Sequence, residues 1–197
     1  MSRDDAARDD QELVAAHVAG DPTAFDDLVR RHRDRLWAVA LRTLGNPDDA
    51  ADAVQDGLLK AFRAAGSYRG EAAVTTWLHR IVVNACHDLT RRRAARPAVP
   101  LGDRDLPSFE DAPAGRDISL TVLTALRGLP FDQAAALVLV DIEAFSVAEA
   151  AEILAVPEGT VKSRCARGRV QLAAVLADEG NPGRTAPVRS QNPGGEA

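Results

Sequence analysis

Four prolines, Pro97, Pro100, Pro107 and Pro113, crowd the stretch Ala94–Asp117 among glycines and acidic residues. A segment of that composition can bury little apolar surface and stays extended or disordered. On either side, residues 21–95 and 118–178 carry apolar residues at helical spacing with few breakers. The chain therefore reads as two small helical modules joined by a flexible linker, which suits a length of 197 residues, between one and two domains. Aromatic residues make up only 4% while alanine, leucine and valine dominate, which favours helix over sandwich or barrel. The expected fold class is all-α. Its expected boundaries are 1–20, a flexible segment leading into the first helix; 21–95; 96–117, the acidic linker; 118–178; and 179–197, a disordered tail.

In the first module Phe25, Leu28, Val29, His32, Leu36, Ala40 and Leu44 mark one face of an amphipathic helix that stops at Gly45-Asn46-Pro47. A second helix follows, with Asp48, Asp49 and Asp52 complementing the dipole at its start and Val54, Leu58, Ala61 and Phe62 along its apolar face. Gly66 and Gly70 bracket a loop. Thr75 or Thr76 is expected to cap a third helix that runs to Arg91-Arg92-Arg93.

In the second module Ser146-Val147-Ala148-Glu149 is a capping box opening a short helix with Ile153 and Leu154. A tight turn at Ala155-Val156-Pro157 leads into another helix. That helix puts Val161, Cys165, Gly168, Leu172 and Leu176 on one face and Thr160, Ser163, Arg164, Arg167 and Gln171 on another. This is helix-turn-helix geometry, in which the second helix offers hydroxyls and guanidinium groups to a major groove. A plain helical hairpin with a solvated basic face fits the same pattern.

The net charge of −5 argues at first against a nucleic-acid partner, but the charge is segregated. Arg91, Arg92, Arg93 and Arg96 cluster in one place and Lys162, Arg164, Arg167 and Arg169 in another, while acids fill the N-terminus and Asp103–Asp117. Met1–Gln11 is charged and lacks the apolar core of a signal sequence, and no apolar run nears the roughly 18 residues of a membrane span, so a cytoplasmic protein is expected. Cys86 and Cys165 show no metal-ligand or CxxC spacing and read as core residues. Oxidant sensing would need an exposed, acidic thiol.

At Gly159-Thr160-Val161-Lys162-Ser163-Arg164 a family resemblance emerges. Residues 129–176 resemble region 4 of sigma-70-family factors of the extracytoplasmic-function group. Leu129, Pro130, Gln133, Leu137, Glu143, Ser146, Glu149, Ala151, Leu154, Pro157, Arg167 and Leu172 also stand at matching positions. Asp49-Ala50 with Asp52–Asp56 looks like region 2.2; Tyr68-Arg69-Gly70-Glu71 and Thr76–Ile81 with Asn84 look like regions 2.3 and 2.4. The subgroup most similar is the actinobacterial sigma-M group.

The resemblance implies a non-enzymatic transcription initiation factor with no cofactor and no small-molecule substrate. Asp49, Asp52, Val54, Gln55 and Asp56 would dock on the β′ subunit of core RNA polymerase, with β as a further contact. Tyr68, Arg69, Arg80, Asn84, His87 and Arg91 would melt and hold the minus-ten element as single strand. Thr160, Lys162, Ser163, Arg164 and Arg167 would bind the duplex minus-thirty-five element. Melting asks for a pocket that stacks a flipped base, and cations along the separated strand; Tyr68 suits stacking, whereas Trp77 falls in register with Leu78, Ile81, Ala85 and Leu89 and belongs to the core. An anti-sigma factor, commonly membrane-bound, is implied as regulator. The linker acids Asp103, Asp105, Glu110 and Asp111 either mimic nucleic acid in the polymerase cleft or serve solubility.

Four positions depart from the family pattern: Ala155 where glycine is usual, Gly57 inside the docking helix, Ala134 for arginine and Val74 for an aromatic residue. Two other function classes stay open on the residues alone. A homodimeric helix-turn-helix regulator that never meets polymerase predicts paired half-sites. An enzyme using Asp48, Asp49, Asp52 and His79 is the other.

Overall fold

The computed structural model describes residues 8–95 and 120–179, and among these every regular element is helical. The first module holds α1 (Asp10–Val18), α2 (Ala24–Leu44), α3 (Pro47–Ala64), a short 3₁₀ turn (Ala65–Ser67) and α4 (Val74–Ala94). The second holds α5 (Leu120–Arg127), α6 (Phe131–Leu137), a π-turn (Val138–Ile142), α7 (Val147–Leu154) and α8 (Glu158–Glu179). The expected linker lies outside the described residues, as does the expected tail except Glu179, which ends α8.

Local chemistry sets the helix ends. Gly45 closes α2 in the left-handed region, at φ 69°. The Asn46 side chain then accepts from the Asp49 amide, and Pro47 occupies the first turn of α3. The capping box at Ser146 and Glu149 forms as expected: Ser146 N donates to Glu149 Oε2 at 2.8 Å and Glu149 N to Ser146 Oγ at 3.2 Å. Ala155 ends α7 at φ 52°, so the alanine that replaces the usual glycine does adopt the left-handed conformation.

Two expectations need correction. Residues 10–18 are not a flexible lead but a helix, opened by the reciprocal capping box of Asp9 and Glu12, with Leu13 and Val14 buried in the core. And α4 starts at Val74 without a side-chain cap: Thr76 is buried, and the Thr75 carbonyl accepts from the ring of His79 instead.

The first core joins α1 to α4, with Leu28, Leu36, Leu78 and Cys86 fully enclosed and Trp77 packed against it. Gly57 explains itself there: a Cβ on it would meet Val82 Cγ2 at 2.8 Å and Val82 Cα at 3.1 Å, so glycine lets α3 and α4 close on each other. The second core is not confined to its own module. Val39 of α2 and Val83 of α4 pack into one cluster with Leu126, Val138, Phe145 and Ile153. The π-turn, α5 and α6 lie against α2, and α7 lies along α4.

Candidate nucleic-acid interface

The face of α3 that the residue pattern assigned to a basic partner is split by the fold. Asp52 and Gln55 are exposed, and Asp56 is half-buried and ion-paired with Lys60 at 2.9 Å. Asp49, 5% exposed, points inward and is salt-bridged to Arg93 at the far end of α4, and Val54 is buried in the core. Burial pushes the Asp49 carboxyl above its ordinary value despite Arg93. Asp49 and Val54 therefore hold the helix in place, while Asp52, Gln55 and Asp56 remain available to a partner. Arg93 and His79 lie fourteen residues apart, about 21 Å along α4, so Asp49 and His79 do not share a site.

The loop between the 3₁₀ turn and α4 is pinned by Tyr68, whose hydroxyl donates to the Ala72 carbonyl at 2.6 Å. Its ring lies 5.2 Å from that of Trp77. Arg69 is exposed, as are Arg80, Asn84 and Arg91 along α4, one cationic and amide stripe of the kind that follows a single strand. His87 leaves that stripe: it is half-buried, with its ring 5.2 Å from Phe131 of the second module.

On α8, Val161 and Cys165 are buried against α6 and α7, and Gly168 lets Leu137 approach. The opposite face carries exposed Lys162, Ser163 and Arg167 and half-buried Thr160. Lys162 reaches Glu158 at 3.4 Å, and the Ser163 hydroxyl donates to the Thr160 carbonyl. Arg164 differs from its neighbours. Its guanidinium donates to Asp132 of α6 at 2.6 Å, and its side chain is largely covered, so it ties α8 to α6. A second tie, Arg169 to Asp141 at 2.7 and 2.9 Å, has no counterpart among the sequence expectations, although an acid in the turn before a capping box and a basic residue about three turns into the helix after it are signals for it.

Both cysteines are buried. Burial lifts the Cys86 thiol to about 12 and raises that of Cys165, which places both far from the acidic, exposed thiol of a redox sensor.

A cleft of about 880 Å³ lies between the loop that precedes α4 and the turn that joins α7 to α8. Tyr68, Arg69, Trp77 and Arg80 line one wall and Glu152, Ala155, Pro157 and Glu158 the other.

Comparison with known proteins matches both modules to one family. Residues 28–96 match the family model for sigma-70 region 2, and residues 119–172 that for sigma-70 region 4. The chain is 52% identical over 169 residues to the ECF RNA polymerase sigma factor SigM of Mycobacterium tuberculosis H37Rv, covering 86% of this chain and 85% of that protein. It is 34% identical to the RNA polymerase sigma-H factor of Pseudomonas aeruginosa, covering 85% of this chain and 93% of that one. Among solved structures it resembles CnrH in complex with the cytosolic domain of CnrY (TM-score 0.64, 30% identity, 86% of this chain and 98% of that one). It also resembles the sigma factor RpoE of Bartonella quintana in complex with the anti-sigma factor NepR (TM-score 0.61, 26% identity, 79% and 98%).

Proposed function

The chain belongs to the extracytoplasmic-function group of the sigma-70 family of RNA polymerase sigma factors, and we propose from that membership how its surfaces divide the work of initiation. The exposed acids and amide of α3, Asp52, Gln55 and Asp56, dock on a basic surface of core RNA polymerase. Tyr68, Arg69, Arg80, Asn84 and Arg91 receive the melted minus-ten strand, and Lys162, Ser163, Thr160 and Arg167 hold the minus-thirty-five duplex. The β′ and β subunits are the proposed docking partners. No bond is made or broken; flipped bases and the separated strand bind better than the closed duplex, and that difference drives melting.

The observation that supports this reading is the presence on one chain of a helix-turn-helix and, apart from it, an exposed acidic helix face beside a stripe of exposed cationic and amide side chains. A duplex-binding regulator needs the first alone. We further propose an anti-sigma factor as regulator, as NepR is for RpoE of Bartonella quintana, with the cytoplasm as the place of action. Among the described residues no helix is long and apolar enough to cross a membrane.

Run-off transcription from the DNA just upstream of the gene tests the assignment. With purified core polymerase, the full chain gives a specific transcript, and the double variant Asp52→Ala, Gln55→Ala loses it while keeping duplex binding. Tight duplex binding as a dimer, with no transcript when core is added, would instead establish the homodimeric regulator.

A further inference from the structure

The polar groups of α8 assigned to the minus-thirty-five duplex do not fill the face on which they stand. Successive residues of an α-helix turn by about 100°, so the face opposite the buried Val161, Cys165 and Gly168 is centred on Gly159, Ser163, Ala166 and Val170. All four are exposed, and Ser163 is the single polar side chain among them. A Cβ on Gly159 would meet nothing within 4 Å, so the row begins low and open. Val170 is 72% exposed, and no large apolar side chain among the described residues is more so. Lys162 stands on one flank of this row and Arg167 on the other, both exposed.

Resting on the reading of α8 as the duplex-binding helix, we propose that Ala166 and Val170 are specificity-determining residues that read thymine through contact with its methyl group in the major groove. The C5 methyl of thymine is the apolar group that a base pair presents there, and small apolar side chains are what it accepts. Ala166 and Val170 lie about 6 Å apart along the helix axis, close to two base-pair steps of about 3.4 Å. Ser163, one turn earlier on the same row, can serve as donor or acceptor to a base edge.

The flanks say which partner the row suits. A groove about 12 Å wide admits one helix and sets a line of phosphates on each side of it, which matches an uncharged row between Lys162 and Arg167. A protein surface that covered Val170 would have to desolvate those two cations as well, and without phosphates to receive them that is costly. The residue pattern shows the hydroxyls and guanidinium groups of α8 and passes over these two positions, because a methyl contact needs neither charge nor hydrogen bond.

Two pools of duplexes randomised across the minus-thirty-five segment test the contact. They are identical except that one carries deoxyuridine in place of every thymidine, which removes the methyl group and nothing else. The full chain bound to core polymerase selects from each. From the thymine pool it enriches thymine at two positions about two steps apart, and in the uracil pool that enrichment falls by about fourfold per position, the effect of one methyl group taken out of water. Ala166→Gly enriches the two pools alike at one of these positions and Val170→Ala at the other, and neither changes the salt slope of binding, because no charge is removed. Val170→Ala raises helix propensity, so it decides the matter if Ala166→Gly loosens α8 by circular dichroism. Loss of the methyl groups also alters groove shape, but a difference that arises from shape survives both substitutions. Such survival, or a native chain that shows no thymine preference or one equally strong in both pools, overturns the proposal. Run-off transcription alongside separates it from the reading beneath it: core-dependent transcripts with no difference between the pools sink the methyl contacts alone, whereas selection without core, and no transcript with it, sinks the sigma-factor reading.

Discussion

At the scale of single residues, the positions that break the family pattern are where physical chemistry says most. Ala155 holds a left-handed conformation at φ 52°, ψ 44° that costs an L-residue with a Cβ on the order of 1 kcal/mol, a cost glycine does not bear. Ala155→Gly should raise the free energy of unfolding by about 1 kcal/mol in urea titration, with the slope of the transition unchanged. Gly57 shows the opposite balance. Alanine would gain about 1 kcal/mol of helix propensity, but its Cβ would press on Val82 Cα, a backbone atom that cannot rotate away. Overpacking of that kind costs about 1–3 kcal/mol, so Gly57→Ala should lower stability by about 1 kcal/mol net. The cationic positions of α8 divide in the same way. Removing Lys162, exposed and held only by Glu158, should weaken duplex binding and reduce the salt dependence of log K by about one phosphate contact. Removing Arg164 should leave the salt slope unchanged and lower stability, because its charge is spent on Asp132. A slope that falls equally in both variants would return Arg164 to the reading set.

At the scale of elements, what could be read in advance is what local chemistry alone decides. The stop of α2 at Gly45, the start of α3 at Pro47 and the Ser146 capping box each depend on residues within four positions, and all appear as expected. The same signature marks α1, where Asp9 and Glu12 form a capping box. It is hard to read in the sequence because the helix is short and the acids around it resemble a solvated leader, and only its burial of Leu13 and Val14 makes it part of the fold. The start of α4 at Val74 departs from the expected one for the complementary reason. Thr75 and Thr76 are good capping residues, but Thr76 is buried and the Thr75 carbonyl is claimed by His79, so packing outweighs the cap. Among site residues, helical spacing put Arg80, Asn84, His87 and Arg91 on one stripe. Spacing within one helix cannot show which of them a second module covers, and His87 is the one that Phe131 takes.

At the scale of the whole molecule, the joint between modules carries a titratable group whose burial makes their mutually packed, closed form sensitive to acid. His79 is completely enclosed; its Nδ1–H donates to the Thr75 carbonyl at 2.7 Å, while Nε2 has no hydrogen-bond partner. Desolvation holds its pKa down at about 4, opposed by the Thr75 carbonyl. The charged groups facing it are Arg35 and His32 of α2, the latter 2.7 Å from Asp10, and Glu143 of the second module. Because the folded value lies below that of a solvated imidazole, the closed form binds fewer protons between the two values. Its stability is therefore complete above about pH 6.5 and falls as the pH drops towards 4. At about pH 5 the closed form has lost about 2 kcal/mol relative to any state that wets His79, a thirtyfold change in that equilibrium. Spin labels on Glu71→Cys and Glu152→Cys, one on each wall of the cleft, should accordingly show by dipolar spectroscopy a long-distance fraction that rises by about thirtyfold between about pH 7.5 and about pH 5. His79→Leu removes the titrating ring and an unpartnered buried nitrogen while keeping apolar contact with Phe145, so it should remain closed across that range. If His79→Leu opens with acid as the native chain does, the proton acts elsewhere, and the enclosed imidazole is a packing element of the joint with no part in its pH response.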